Sequence, residues 1–198
     1  MDQQEELDYI RKVRNGDHAA YAFLVDRYKN MAYSISLRVL GNQEDAQDVS
    51  QEGFIKAYQQ LNQFEGKSKF STWLYTIVYR TALAKAKEMK VKTFSITDHF
   101  EESFTNDFST PQLTLMQTDD ERRSVNVAIN NLPSTEALLV ILYYIDEKSI
   151  SEIKEITGLT MANIKIKLFR ARKKLERELR YLLDDKSTER TLYGKQGK

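Results

Sequence analysis

Apolar residues in the first part of the chain recur every three or four positions. Tyr21, Leu24, Val25, Tyr28, Ala32, Ile35 and Val39 line one face of a helix, with Asp17 placed to cap its start and Gly41 to end it. The spacing predicts a second helix from about Gln43 to Leu61, through Ala46, Val49, Phe54, Ala57 and Tyr58, and a third from about Ser71 toward Lys87, through Trp73, Leu74, Ile77 and Val78. A short helix from Leu7 to Val13 leads them. From about Lys92 to Thr118 the periodicity fails, Ser and Thr are frequent and Pro111 intervenes, as in a poorly packed connector. Helical spacing returns at Val125, Ile129 and Leu132, breaks at Pro133, and resumes at Leu138, Ile141, Leu142 and Ile145. Two helices then follow in quick succession. Ser149 and Glu152 have the spacing of a capping box, Gly158 closes the first of the two, and Thr160 can cap the second, whose stripe is Ile164, Leu168, Ala171, Leu175 and Leu179. No strand pattern and no internal repeat is present. The expectation is an all-α chain of two small helical domains, residues 1–91 and 119–184, joined by a flexible acidic linker, 92–118, and followed by a disordered tail, 185–198.

Composition narrows the function classes. Hydrophobic residues make up 41% of the chain and charged residues 30%, which supports packed cores. No apolar run approaches the ~20 residues of a membrane span, and the acidic start lacks the basic and apolar parts of a signal peptide, so the expected location is the cytoplasm. The absence of cysteine removes disulfides, thiolate metal sites and a cysteine nucleophile. His18 and His99, the two histidines, complete neither Glu-x-x-His nor His-Glu-x-x-His, so no metal and no cofactor is expected. The net charge of +1 hides an asymmetry: acids dominate from Glu88 to Glu121, and bases from Arg122 to Arg180.

The basic block coincides with the closely spaced helix pair. A helix of about eight residues, a turn at Gly158-Leu159-Thr160 and a longer basic helix is the order of a helix-turn-helix, whose second helix enters the major groove. Opposite the stripe, at about 100° per residue, lie Ile166, Phe169, Arg170, Lys173 and Arg177, flanked by Lys165, Lys167, Arg172 and Lys174. Solvated charge alone would account for the bases. The capped turn, the charge contrast with the linker and an outward Ile166 able to meet a thymine methyl favour DNA.

Two further clusters admit several readings. Glu44, Asp45, Asp48 and Glu52 put carboxylates on neighbouring helical turns, which suits paired acids, a protein-binding face or a favourable interaction with the helix dipole; no residue is placed to complete an active site. The stretch from Phe64 to Arg80 interleaves Phe64, Phe70, Trp73, Tyr75 and Tyr79 with Lys67, Lys69 and Arg80. Rings on which bases stack and cations that hold phosphates suit a single strand, but aromatics at helical spacing equally suit a core.

The segments Asp45-Ala46-Gln47-Asp48-Val49-Ser50-Gln51-Glu52-Gly53-Phe54, Phe70-Ser71-Thr72-Trp73-Leu74-Tyr75 and Phe169-Arg170-Ala171-Arg172-Lys173-Lys174-Leu175 resemble, in order, the extracytoplasmic-function (ECF) sigma factors of bacterial RNA polymerase. The resemblance, from about Ala19 to Leu183, implies a non-catalytic specificity subunit that binds core RNA polymerase, through the β′ clamp helices and the β subunit, and promoter DNA both duplex and single-stranded. It also implies an anti-sigma factor. Carried over by position, Asp45, Asp48, Val49, Gln51, Glu52, Phe54 and Tyr58 would meet the clamp helices. Phe64, Lys67, Ser68, Lys69, Phe70, Ser71, Thr72, Trp73, Tyr75, Tyr79 and Arg80 would capture and flank a base flipped from the −10 element. Thr160, Ala162, Asn163, Lys165, Ile166, Phe169, Arg170 and Lys173 would read the −35 element, and the acidic linker would lie in the RNA-exit path. Arg80 stands where many members have Asn, and Ile166 and Lys167 replace common Ser and Arg, so an unusual promoter is expected. A conventional helix-turn-helix regulator with an N-terminal sensor or dimerisation domain is the competing reading.

Overall fold

The computed structural model describes residues 3–93 and 119–193, with side-chain surroundings for 4–89 and 123–180. The expected linker thus lies almost wholly outside the described residues, with His99 and the linker acids. In chain order the helices are α1 (Gln3–Arg14), α2 (His18–Leu40), α3 (Gln43–Gln59), α4 (Phe70–Thr93), α5 (Asp119–Asn130), α6 (Ser134–Val140), α7 (Ile150–Thr157) and α8 (Met161–Tyr193). No strand occurs among the described residues.

The first half packs α2, α3 and α4 against one another, with α1 laid on α2. Local chemistry sets the boundaries. The Asp17 carboxylate accepts from the Ala20 N–H, and Gly41, left-handed at φ 80°, donates to the Leu37 carbonyl. Asn42 caps α3 by accepting from the Asp45 N–H at 2.8 Å. The place where α3 crosses α4 belongs to Gly53: a Cβ there would lie 2.7 Å from Val78 Cγ2, so only glycine permits the approach. Leu24, Ile35, Ala57, Leu74 and Val78 fill the core.

In the second half Pro133 immediately precedes α6, and at Ile141–Ile145 the helix widens into a π-turn. There the Asp146 N–H reaches the Ile141 carbonyl at 3.0 Å and the Lys148 N–H reaches that of Leu142 at 2.9 Å. The turn keeps Ile141 and Leu142 buried while Tyr143 and Tyr144 emerge. Ser149 and Glu152 form the reciprocal capping box, and Gly158, at φ 73°, closes α7. The Thr160 hydroxyl then caps α8 through the Asn163 N–H at 3.2 Å.

Two boundaries differ from the sequence reading. The third long helix runs on to Thr93, and α8 continues through Tyr193, so residues 185–193 of the expected disordered tail are helical. Neither extension meets a Gly or Pro that would stop it; the first such residue after Gly158 is Gly194. The two halves also touch. Their apolar cores form one contiguous cluster, α4 packs on α7 and α2 on α6. Arg38, buried, donates to the Asn130 side-chain carbonyl at 2.7 Å across the junction. Burial pushes its guanidinium down to about 10, still high enough to stay charged at neutral pH.

Candidate nucleic-acid and protein interfaces

The outward face of α8 stands open. Ile164, Leu168 and Ala171 are buried against the other helices of the second half, which turns Ile166 (52% exposed) and Phe169 (49%) into solvent. Thr160, Ala162, Asn163, Lys165, Arg170 and Lys173 are exposed beside them. The Lys173 ammonium lies 4.6 Å from the centre of the Phe169 ring. Met161, also exposed, extends the apolar strip at the helix start and was missed by the sequence reading, because its position lies before the periodic stripe begins. Lys174, placed on the flank by periodicity, instead pairs with the buried Glu136 of α6 at 3.0 Å.

The Phe64–Arg80 stretch divides differently. Phe64, Phe70, Ser71, Thr72 and Tyr75 are buried; Ser68, Trp73 and Tyr79 are half-buried; Lys67, Lys69 and Arg80 are exposed. Phe64, Phe70 and Trp73 make a mutual ring cluster, with centroids 5.3–5.7 Å apart. Part of this burial is supplied by the other half of the molecule. Lys148, itself 7% exposed, donates to the Ser71 hydroxyl at 2.7 Å, sits 5.4 Å from the centre of the Tyr75 ring and pairs with Asp146 at 3.2 Å. The Glu152 carboxylate accepts from the Thr72 hydroxyl at 3.1 Å and lies 3.4 Å from the Lys69 ammonium.

Electrostatics follow this packing. Burial alone would raise the Glu152 pKa, but hydrogen bonds from the Ser149 backbone and hydroxyl and from Thr72, together with the charge of Lys69, hold it at about 2. Burial raises that of Asp146 despite the opposing Lys148, and raises the Tyr75 hydroxyl well above its ordinary value. Ser71 and Thr72 therefore cannot meet a nucleic acid while Lys148 and Glu152 hold them, and Tyr75 lies in the core against Tyr28.

On α3, Asp48, Gln51 and Glu52 are exposed, Tyr58 partly so, and Asp45 half-buried. Val49 and Phe54, expected on the same interface, point into the core, where the Phe54 carbonyl accepts from the Tyr21 hydroxyl at 2.6 Å. Ile55, 57% exposed on the same face as Asp48 and Glu52, was missed because a lone apolar residue outside the stripe carries no periodic signal. Among the described residues no cluster of three His, Asp or Glu side chains could hold a metal ion, and no helix is long and apolar enough to cross a membrane.

Both halves of the chain resemble known proteins. Residues 24–88 match the family model of sigma-70 region 2, and residues 122–175 that of sigma-70 region 4. The chain is 32% identical over 181 residues to the ECF RNA polymerase sigma factor SigW of Bacillus subtilis, covering 87% of this chain and 96% of the relative. It is 28% identical over 190 residues to the RNA polymerase sigma-H factor of Pseudomonas aeruginosa, covering 92% and 98%. Among solved structures, the sigma factor RpoE of Bartonella quintana in complex with the anti-sigma factor NepR has the same fold, with a TM-score of 0.64 at 19% identity over 81% of this chain and 96% of that one.

Proposed function

Since the chain belongs to the ECF sigma factors of RNA polymerase, with sigma-70 regions 2 and 4 in its two halves, we propose that it directs core polymerase to promoters as a non-catalytic, cofactor-free subunit in the cytoplasm. The −35 element is read by the outward face of α8, and a single-stranded −10 base is captured by the loop at residues 64–69 and the first turns of α4. The exposed face of α8 is the observation that supports this reading best. Large apolar side chains standing among cations are costly in water and useful in a major groove, where Ile166 can meet a thymine methyl and Arg170 can grip a guanine.

Core polymerase would dock on the exposed face of α3, through Asp48, Gln51, Glu52 and Tyr58 with Ile55 added, while Val49 and Phe54 hold that helix in place from within. The solved relative seen with an anti-sigma factor supports a similar partner for this chain. Because Lys148 and Glu152 of the second half hold Ser71 and Thr72, these two residues can reach a strand only once the two halves part. Gel filtration with core polymerase, followed by transcription of genomic fragments, tests the proposal. The wild type should co-elute and initiate at defined sites, and Asp48→Arg should do neither. A chain that binds duplex DNA but never co-elutes with core would be a conventional helix-turn-helix regulator instead.

A further inference from the structure

The loop proposed to capture the −10 base is anchored from a helix outside the matched region 2, which begins at residue 24. Ile10 and Val13 fix α1 in the core, and the Tyr28 hydroxyl donates to the carboxylate of the buried Glu6, whose pKa burial raises. That register turns Arg14, in the last turn of α1, toward the short 3-10 turn Leu61–Gln63 that follows α3. The guanidinium donates to the Leu61 carbonyl at 2.7 and 3.3 Å and to the Phe64 carbonyl at 2.5 Å. The Leu61 carbonyl also accepts from the Phe64 N–H at 3.1 Å, so the rigid guanidinium fork braces the closed turn and the Phe64 carbonyl beyond it at once.

We infer that Arg14 is a positioning residue for −10 base capture, an inference that rests on the assignment of the 64–69 loop above. Phe64 is where the loop begins, and its buried ring packs on Phe70 and on Trp73, the aromatic side chain of this cluster that remains half-exposed for stacking. Holding the Phe64 backbone therefore sets both the loop's point of departure and the ring against which a base would lie. Beyond Phe64 the chain turns at Gly66, at φ 73°, and presents Glu65, Gly66, Lys67 and Lys69 to solvent. A cleft of about 230 Å³ between Leu7, Ile10 and Arg11 on one side and Phe64, Glu65 and Gly66 on the other leaves the loop room to shift once Arg14 is removed. The guanidinium works through the loop rather than by touching DNA.

The test uses holoenzyme and a single-stranded −10 oligonucleotide selected by wild type from a randomised pool. Arg14→Ala should weaken capture by about tenfold, the scale of charge-assisted hydrogen bonds to backbone, and flatten base preference at the captured position. Binding to core and to −35 duplex should be unchanged. Arg14→Gln, which keeps an amide donor without the charge, should recover part of the affinity and of the preference with an unaltered salt dependence. Two results would overturn the inference: unchanged capture by Arg14→Ala, or an Arg14→Gln as weak as Arg14→Ala whose log-log salt slope has fallen by about one, the mark of a lost phosphate contact. Lys69→Ala and Trp73→Ala run alongside. If they too capture normally, the loop assignment falls and this inference with it; if they fail while Arg14→Ala does not, only Arg14 is excluded.

Discussion

The outer face of α8 and the first turns of α4 are both helix surfaces rich in bases and aromatics, and both are proposed to meet promoter DNA, yet one stands in solvent and the other lies under α7. Nothing within either helix makes the difference. On α8 the apolar stripe faces its own domain, and the opposite side meets no other element among the described residues. On α4 the covering groups come from about 80 residues further along the chain: Lys148 on Ser71, and Glu152 on Thr72 and Lys69. The Glu152 carboxylate engages the hydroxyl and the ammonium that would hold a strand phosphate, so nucleic acid and α7 are alternatives at that surface. Each such hydrogen bond contributes ~0.5–1.5 kcal/mol net. Their sum is a few kcal/mol, small enough for core polymerase or DNA to offset. On the proposed assignments, the −35 face is open from the start, whereas Ser71 and Thr72 of the −10 surface are freed only when the halves separate.

The comparison would be broken most directly by loosening the cover. Lys148→Met combined with Glu152→Gln keeps side-chain volume, and glutamine can still serve the capping box. In the free chain this variant should bind single-stranded −10 DNA about ten- to a hundredfold more tightly, the scale of two or three lost hydrogen bonds, with −35 duplex binding unaltered. Fluorescence anisotropy measures both, and equal affinities for wild type and variant would show that the two occupants do not compete.

The open side is sharpened by Arg170 and Ile166. Arg170→Ala should cost ~1–3 kcal/mol in −35 duplex binding, and equally so in wild-type and loosened backgrounds, because α8 needs no uncovering. Ile166→Ser should move base preference away from thymine with no change in salt dependence, since no charge is altered. A randomised −35 library that returns the wild-type preference for both variants would remove α8 as the reader.

How far these surfaces were legible in the sequence follows the same divide. Asp17, Gly41, Ser149, Glu152, Gly158 and Thr160 act where their spacing placed them, because capping is local chemistry. The outward side of α8 was legible for the same reason: helical period and one buried stripe determine what faces away. Ser71, Thr72 and Tyr75 were offered as binding residues by the family resemblance, and the cover on Ser71 and Thr72 was not legible because polar contacts between distant segments leave no periodic trace. Lys148 was invisible for a related reason, a lysine being an unusual residue to bury. Arg14, an ordinary basic residue near a helix end, gave no sign that its partners were carbonyls some 50 positions away.

The smallest expected effect concerns acid. Glu152 is held at about 2 against an ordinary 4.5, so the stability it contributes is fully present above 4.5 and is lost as pH falls through 2. The difference in unfolding free energy between wild type and Glu152→Gln should therefore be constant from neutral pH down to about 5 and shrink below that. Glu6 and Asp146, with raised pKa values, act in the opposite sense: their burial as carboxylates costs stability at neutral pH, and protonation relieves it. A wild-type advantage that fades between pH 7 and about 5 would mean that Glu152 is not held in its charged form by these contacts.

The 2.7 Å gap between a Cβ at position 53 and the Val78 methyl ties two distant letters of the sequence together. The space there admits one side chain, and in this chain Val78 fills it. Gly53→Ala alone should overpack the crossing of α3 and α4, whereas Gly53→Ala with Val78→Ala exchanges a few atoms across the same seam and should restore much of the loss. Along any lineage that keeps this crossing, the two positions are expected to drift as a pair, small opposite large, so a change at one records a change at the other.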